Sequence, residues 1–276
     1  MWPDADREMS NPALMLDRPL VNAPGTLGFE PNPRRKPFIS QLAAFVTNPI
    51  SFRARYPAGD RAYLPFQGGY LLHTGLPNPG FRRVLSRYKQ RWAAAPLPVL
   101  PHLLAETPES LGVMVKELEG LENIQAVEFS IHPDCDPAGL QHFFNAAAGE
   151  LPIIPCLAPE QVPALLDTLR SLMPSAVHIL QPRGTLPGAD GRLVSGRLFG
   201  PAVYPVMLRC VQTIISAGLP VIASGGITDR QEIDAFLNQG VMAIGLDSVL
   251  WGVDPGQSMH GWNQDAEDQV GRTLSG

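Results

Sequence analysis

The chain has 276 residues, of which 45% are hydrophobic and 17% charged, so it carries enough apolar side chains for a sizeable core. Its net charge of −5 argues against nucleic-acid binding, which needs clustered basic residues. Three cysteines in so long a chain argue against a disulfide framework. No apolar run approaches the roughly 20 residues of a membrane span, and the acidic start is unlike a signal peptide. We therefore expect a soluble, cytoplasmic protein.

Eight short apolar runs alternate with segments of helical periodicity. Most runs are continuously apolar, which is typical of strands buried on both faces. The predicted strands are residues 20–23, 43–47, 98–102, 126–131, 153–157, 176–181, 220–224 and 243–248. The predicted helices are residues 81–92, 108–119, 138–147, 159–172, 203–217 and 229–239. A capping box of Thr228 and Gln231 is expected to open the last helix.

This alternation predicts an α/β fold in which a parallel sheet closes as a (β/α)8 TIM barrel, with residues 1–276 forming one domain. A doubly wound sheet is disfavoured because no Gly-x-Gly-x-x-Gly turn follows an early strand. Two long loops, 49–80 and 184–200, follow the second and sixth strands. In a barrel they would lie over the C-terminal face of the strands, where active sites form, so we expect them to be functional lids.

The most specific motif lies in the last quarter of the chain. The seventh predicted strand ends in Ser224, Gly225 and Gly226, and the eighth ends in Asp247 and Ser248. In a barrel, the loops at these two strand ends form a phosphate site from consecutive backbone N–H groups, which glycine allows an anion to approach. The sequence therefore predicts phosphate binding here. The alternative is that the glycines only form a tight turn.

Four further segments resemble a known family. The sequence Asn-Ala-Pro-Gly at 22–25 is similar to a first strand and turn beneath a flavin, and Phe-Val-Thr at 45–47 to a second strand end. The sequence Gly-Leu-Pro-Asn-Pro-Gly at 75–80 is close to a Gly-Leu-x-Asn-x-Gly segment. The sequence Phe-Gly-Pro-Ala at 199–202 resembles a Ser-Gly-Pro-Ala element. Together these motifs resemble the dihydroorotate dehydrogenase family of FMN-binding barrels.

The resemblance implies an oxidoreductase that uses FMN on a small-molecule substrate, with neither nucleic acid nor membrane as partner, and we expect a homodimer. The cofactor-binding residues that it implies lie at strand ends and turns: Ala23, Gly25, Thr47, Asn48, Ser130, Gly200, Ser224, Gly225, Gly226, Asp247 and Ser248. The substrate-binding residues that it implies are His73, Asn78 and Asp134.

Two lysines of the family pattern are absent. Asn48 stands where the family has a lysine after the second-strand threonine, and Cys156 stands where it has a lysine beside flavin N1. A cation near N1 stabilises the negative charge of the reduced flavin. The candidates to replace it are Arg183, His102 and His178. We favour Arg183 because it directly follows the sixth predicted strand.

The end of the fourth predicted strand also departs from the family. The sequence Ser-Ile-His-Pro-Asp at 130–134 replaces Asn-x-Ser-Cys-Pro-Asn and is one residue shorter. This match makes His132 the candidate catalytic base, because imidazole titrates near neutral pH. The alternative is a strand-end histidine that is satisfied by nearby carbonyls. No metal site is expected at His132, Asp134 and Cys135, because side chains within one turn cannot easily converge.

At least three amides that would recognise orotate are missing. Ser130 replaces an asparagine, Leu72 lies in a stretch where another is expected, and Gln181 with Pro182 replaces an Asn-Thr pair. Sites built to hydrogen-bond a substrate discriminate strongly against wrong partners, so we expect a substrate other than dihydroorotate. Two alternatives stay open: a barrel that binds FMN or another phosphate ligand without redox chemistry, and a lyase or isomerase of phosphorylated sugars.

Overall fold

The computed structural model describes residues 11–251, so the predicted domain 1–276 extends beyond the described residues at both ends. The strands are β1 (Leu20–Asn22), β2 (Phe45–Val46), β3 (Ala62–Phe66), β4 (Gly69–His73), β5 (Val99–Leu100), β6 (His102–Leu104), β7 (Val127–Ser130), β8 (Ile153–Leu157), β9 (Val177–Ile179), β10 (Arg183–Pro187), β11 (Leu193–Phe199), β12 (Val221–Ser224) and β13 (Ala243–Leu246). The helices are α1 (Phe81–Ala93), α2 (Pro108–Glu119), α3 (Pro137–Ala147), α4 (Val162–Leu172), α5 (Tyr204–Ser216) and α6 (Arg230–Asn238).

A curled, seven-stranded parallel sheet in the order β1-β13-β12-β9-β8-β7-β6 forms the centre of the molecule. Strands β2 and β5 form a separate parallel pair. A parallel bridge joins Val21 of β1 to Ala44, which precedes β2, and only Pro101 separates β5 from β6. The β2–β5 pair therefore adjoins both edges of the larger sheet. The predicted α/β class with a parallel sheet is confirmed.

Strand burial explains why the apolar runs were readable in the sequence. Every residue of β1, β7, β8, β9, β12 and β13 is buried, because helices cover one face and the centre of the curled sheet covers the other. No helix of the described residues is both long enough and apolar enough to cross a membrane.

The capping prediction for the last helix was wrong by one residue. Asp229 is the N-cap of α6, and its carboxylate accepts hydrogen bonds from the N–H groups of Gln231 and Glu232. The side chain of Glu232 completes the box by accepting from the Asp229 N–H at 2.8 Å. A carboxylate near the positive end of the helix dipole is favoured over a hydroxyl, which explains the shift from Thr228.

The two segments expected to be long loops contain strands. Residues 49–80 hold the antiparallel pair β3–β4, and residues 184–200 hold most of the pair β10–β11. Strand β11 also pairs with β4, so both hairpins join in one antiparallel sheet in the order β10-β11-β4-β3. Gly200 permits this approach, because a Cβ atom there would lie 2.6 Å from the carbonyl oxygen of Gly68.

Aromatic contacts attach the four-stranded sheet to the central one. Tyr70 of β4 stacks on Phe199 of β11, with ring centroids 5.3 Å apart. Phe199 contacts Trp251, whose indole N–H donates to the carbonyl of Thr26 at 3.2 Å. The four-stranded sheet is thereby held beside the C-terminal end of β1.

Asn78 organises the chain between β4 and α1. Its side-chain oxygen accepts from the backbone N–H groups of Ser51 and Gly80 at 3.2 and 3.0 Å, and from the Ser51 hydroxyl at 3.1 Å. Its side-chain nitrogen donates to the carbonyl of Leu76 at 3.1 Å. The buried amide therefore stabilises this loop, and the predicted role of Asn78 in substrate binding stays a prediction.

We expect Asn78→Ala to lower the free energy of unfolding by about 1–3 kcal/mol, because it leaves buried N–H groups without an acceptor. Urea denaturation measures the effect. Asn145→Ala, at an exposed position of α3, is the matched control and should change stability by no more than about 0.5 kcal/mol. Equal effects of the two substitutions would contradict the role assigned to Asn78.

Candidate active site

A buried carboxylate lies among the central strands. Glu128 of β7 is fully buried, and its two oxygens accept from Nδ1 of His102 at 2.9 Å and Nδ1 of His178 at 2.7 Å. Burial by itself raises the pKa of Glu128, but the attraction of His178 and the hydrogen bonds from both imidazoles outweigh it and lower the pKa to about 2. The carboxylate is therefore ionised, and both Nδ1 atoms carry a proton because an ionised carboxylate can only accept.

Two serine hydroxyls complete what we call the buried network: Ser130, His102, Glu128, His178 and Ser224. Nε2 of His102 lies 2.9 Å from the Ser130 hydroxyl, and Nε2 of His178 lies 2.6 Å from the Ser224 hydroxyl. Burial lowers the pKa of His102, so its neutral ring accepts from the Ser130 O–H. The network thus fixes Ser130 and Ser224, both predicted as cofactor-binding residues, at the C-terminal ends of β7 and β12.

Cys156 of β8 adjoins this network. Its Sγ lies 3.8 Å from Nδ1 of His102, and burial raises the pKa of the thiol well above its usual value. The residue is therefore a neutral thiol where the family pattern has a lysine. Ligand atoms of His102, Glu128 and Cys156 lie within 4.8 Å of one another, but the imidazole and the carboxylate satisfy each other's hydrogen bonds, so a hydrogen-bonded network accounts for the cluster.

The glycine pair after β12 has the properties of an anion cradle. Gly225 and Gly226 are buried and have φ angles of +104° and +77°. Their N–H groups have no acceptor within residues 11–251. Buried N–H groups are normally paired, so a bound anion such as the FMN phosphate fits this position. A Cβ atom on Gly226 would also lie 2.6 Å from the backbone of Tyr204, so the start of α5 independently requires glycine.

Asp247 and Ser248 do not extend the cradle as expected. The Asp247 carboxylate accepts from the N–H and hydroxyl of Ser248, and from the Gln181 side chain at 2.8 Å. The Ser248 N–H is therefore occupied by a neighbouring carboxylate, which also repels a phosphate. These bonds disfavour Asp247 and Ser248 as phosphate contacts, and their cofactor-binding role stays a prediction.

The turn after β1 and the end of β2 are locked together. The side-chain oxygen of Asn48 accepts from the Gly28 N–H at 3.0 Å, and the Asn48 N–H donates to the Gly28 carbonyl at 2.7 Å. The Thr47 hydroxyl accepts from the His102 N–H at 3.0 Å. Ala23 and Gly25, the latter with φ +87°, lie in the same turn. These predicted cofactor-binding residues therefore lie near one another and adjoin the buried network.

The predicted base and two predicted substrate residues lie away from the network. The side chains of His132 and Asp134 are 73% and 89% exposed, and they approach each other to 3.5 Å. His73 pairs with the exposed Asp60 at 3.2 Å. The structure thus pairs His132 with Asp134 but does not bring either to Glu128. Their roles in catalysis and substrate binding stay predictions.

Two arginines occupy directly opposite positions of the β10–β11 hairpin. Arg183 is exposed and lines an apolar groove with Pro182 and Leu198. Arg197 is half-buried, and its guanidinium donates to the carbonyl of Gln181 at 3.1 Å. Sequence reasoning missed Arg197 because the hairpin that positions it was interpreted as a loop.

Sequence reasoning also missed the role of Glu128. The available signal was an acidic residue inside the apolar run 126–131, with His102 and His178 at comparable places in two other runs. Charged residues are almost never fully buried without partners. Three ionisable residues in buried strands therefore indicated a shared interior site.

Comparison with known proteins identifies the family. The fold and the polar strand ends define an α/β protein with its site at the C-terminal ends of parallel strands. No protein-family model matches the chain. "Dihydroorotate dehydrogenase B (NAD(+)), catalytic subunit" from Maridesulfovibrio salexigens is 30% identical over 256 residues, covering 84% of this chain and 83% of that protein. Proteins of the same name from Bacillus thuringiensis and Bacillus cereus are each 24% identical over 266 residues, covering 88% of this chain and 85% of theirs. The chain therefore belongs to the dihydroorotate dehydrogenase family, and the resemblance is confirmed.

We expect Glu128→Gln to destabilise the protein by about 3 kcal/mol at pH 7, because it removes the charge and turns one of the two acceptor oxygens into an NH2 donor that faces a protonated Nδ1. The folded-state pKa of about 2 lies below the ordinary 4.5, so the carboxylate contributes stability above pH 4.5 and loses it as the pH falls towards 2. The difference between wild type and variant should therefore shrink across that range.

Urea unfolding at pH 7, 4 and 3 measures this difference. Glu117→Gln, at an exposed position of α2, is the control and should stay within about 0.5 kcal/mol of wild type at pH 7. A gap between wild type and Glu128→Gln that is constant with pH would show that the Glu128 charge is not what stabilises the network.

Proposed function

We propose that the protein is an FMN-dependent oxidoreductase that acts on a small molecule other than dihydroorotate. Membership of the dihydroorotate dehydrogenase family supports the reaction class. The proposed FMN binding rests on the buried N–H groups of Gly225 and Gly226, beside the serine that ends β12, which have no acceptor among residues 11–251. When bound, FMN supplies a centre that accepts a hydride.

In this proposal the chain binds and orients the cofactor, and it excludes water from the site. Gly225 and Gly226 donate their N–H groups to the phosphate. The Ser130 O–H is directed to His102, so both lone pairs on Ser130 Oγ are available to accept a hydrogen bond from a ligand N–H. The burial of Glu128, His102 and His178 keeps water away from the strand ends below the ligand.

The proton-transfer role is assigned to His132, as the sequence suggested. The loop after β7 carries His132, whose Nδ1 accepts a hydrogen bond from the Asp134 backbone N–H at 3.3 Å, and this bond helps to hold the imidazole in one orientation. A base at this loop would face substrate from the C-terminal side of the strands.

A homodimer and a cytoplasmic location also stay predictions.

We also propose that the parallel strands close as an eight-stranded (β/α)8 barrel, in which β5 and β6 together count as one strand. The bridge from Val21 to Ala44 supports closure on one side, and the bridge from Ile50 to Leu103 supports it on the other. The Ala43 N–H donates to the Leu20 carbonyl at 2.7 Å across the same junction. Family membership favours the same architecture.

A second candidate function is a non-redox barrel that binds FMN or another phosphate ligand. The neutral thiol of Cys156 favours it, because that position holds no cation to stabilise a reduced flavin. Both functions predict FMN binding, and they differ in whether the bound flavin is readily reduced.

We expect purified protein to bind FMN and to prefer it over riboflavin by at least about a hundredfold, because only FMN carries the phosphate that the glycine N–H groups accept. Quenching of flavin fluorescence measures both affinities, and visible absorbance confirms a bound chromophore. Equal affinities would place the phosphate elsewhere, and no binding of either flavin would reject the proposed function.

We expect turnover of dihydroorotate to be at least about a thousandfold slower than by a curated relative assayed in parallel. Three amides of the family pattern are missing, at Ser130, in the stretch of Leu72 and at Gln181-Pro182. Each unmatched buried polar group costs about 1–3 kcal/mol, so three losses suffice for this factor. Anaerobic reduction of protein-bound FMN by dihydroorotate measures the half-reaction without needing the electron acceptor. Reduction at the rate of the relative would refute the proposed change of substrate.

A further inference from the structure

Arg197 places a positive charge beside the C-terminal end of β9 in the central sheet. Its strand, β11, lies between β10 and β4, and this pairing carries the residue back over the end of β9. The guanidinium donates to the carbonyl of Gln181, just beyond β9, at 3.1 Å. The side chain is half-buried and is therefore held by the fold rather than extended into solvent.

Within residues 11–251, the charge of Arg197 has no paired carboxylate. No Asp or Glu oxygen lies within ion-pair distance, although Glu160 acts on Arg197 from further away, and only one guanidinium donor has an acceptor. The residue directly opposite in the hairpin is Arg183, another cation. Like charges at opposite positions of a sheet are destabilising, so the fold keeps an unfavourable pair that a bound negative charge would relieve.

The charge of Arg197 reaches two strand ends. It opposes protonation of His102, on β6, and favours the thiolate of Cys156, on β8, although burial has the larger effect on both pKa values. Cys156 is the position where the family pattern has the lysine beside flavin N1. The guanidinium contacts Gln181, three residues beyond His178, and His178 is paired with Cys156 across β9 and β8. These contacts place the guanidinium near the position where that lysine is missing.

We propose that Arg197 is the cation that replaces the missing lysine, stabilising the charge that hydride transfer leaves on the flavin; this rests on the proposed function. FMN bound here would accept a hydride, which is two electrons and one proton, from a substrate C–H bond, and His132, the proposed base, would take the second proton that the oxidised substrate loses. One negative charge would then be left on the N1 side of the flavin ring. A guanidinium can donate two parallel hydrogen bonds to such an edge.

Arginine suits this role because its charge is constant at neutral pH. Burial, followed by repulsion from Arg183, lowers the pKa of Arg197 to about 10, which still leaves it protonated. Arg183 suits the role less well. It is exposed, so solvent weakens its field, whereas the charge of Arg197 is half-buried.

The experiment compares midpoint potentials and FMN affinities of the full-length protein with Arg197→Met, Arg197→Lys, Arg183→Met and Arg192→Met. Arg192 lies on the same hairpin and is exposed and paired with Asp190, so its loss controls for removal of one surface charge. Potentials are measured against a reference dye during reductive titration, and affinities for oxidised FMN by fluorescence quenching.

We expect Arg197→Met to weaken binding of reduced FMN relative to oxidised FMN at least about tenfold, which lowers the two-electron midpoint potential by about 30 mV. Arg197→Lys keeps the charge and should stay within about threefold of wild type, as should Arg192→Met and Arg183→Met. Affinity for oxidised FMN should change less than about threefold in every variant. The potential shift should be the same at pH 6 and pH 8.

Four results would overturn the inference. An unchanged midpoint potential in Arg197→Met would show that Arg197 does not stabilise the reduced flavin. A fall in potential of the same size in Arg197→Lys would show that the positive charge is not responsible. A larger fall in Arg183→Met assigns the charge to the other arginine. Loss of oxidised FMN from Arg197→Met makes the residue a general binding group. Failure of the wild type to bind FMN is a separate outcome, because it rejects the proposed function before any potential is compared.

Discussion

The architecture of the site depends on one buried charge, the Glu128 carboxylate. An ionised carboxylate inside a protein is unfavourable unless several donors surround it. The sheet provides two, His102 from β6 and His178 from β9, on either side of β7 and β8. Because each imidazole has a second nitrogen, satisfying the carboxylate also fixes Ser130 and Ser224. One desolvated charge thus sets the positions of hydroxyls at two distant strand ends.

The network also restricts the neighbouring strand. A Cβ atom on Gly245, in the middle of β13, would lie 2.0 Å from the Ser224 hydroxyl and 2.8 Å from Nε2 of His178. Glycine inside a strand normally weakens it, and its presence here follows from the close approach of polar groups. Gly245, which interrupts the apolar run 243–248, is therefore required by the polar groups of the buried network and not by the strand itself.

The central strands were predictable from the sequence, whereas the hairpins and most side-chain contacts were not. Continuous apolar runs identify β7, β8 and β12 because both faces of these strands are buried. Strands β4 and β11 are half-exposed, and they pair across more than a hundred residues, so no local pattern connects them. The turn after β12 could be predicted because two consecutive glycines after a buried strand are a local motif, and its role in phosphate binding stays a prediction. The approach of Glu128 to two histidines depends on strand register, which the sequence does not encode locally.

Because Cys156 stands where the family pattern has a lysine, two different parts of the molecule do what one lysine would do. The histidines satisfy the charge of Glu128, and a residue outside the central sheet has to supply a positive charge to the flavin. Within the sheet, a neutral thiol contributes no charge, so the histidines must satisfy Glu128. Above the sheet, on the proposal made for Arg197, the positive charge comes from β11. Strand β11 pairs with β4, the strand that ends in His73, so the charge and the predicted substrate loop belong to one antiparallel sheet. A change of substrate that shifted this sheet would therefore also shift the charge, coupling substrate choice to flavin reduction through a shared element rather than through the central strands.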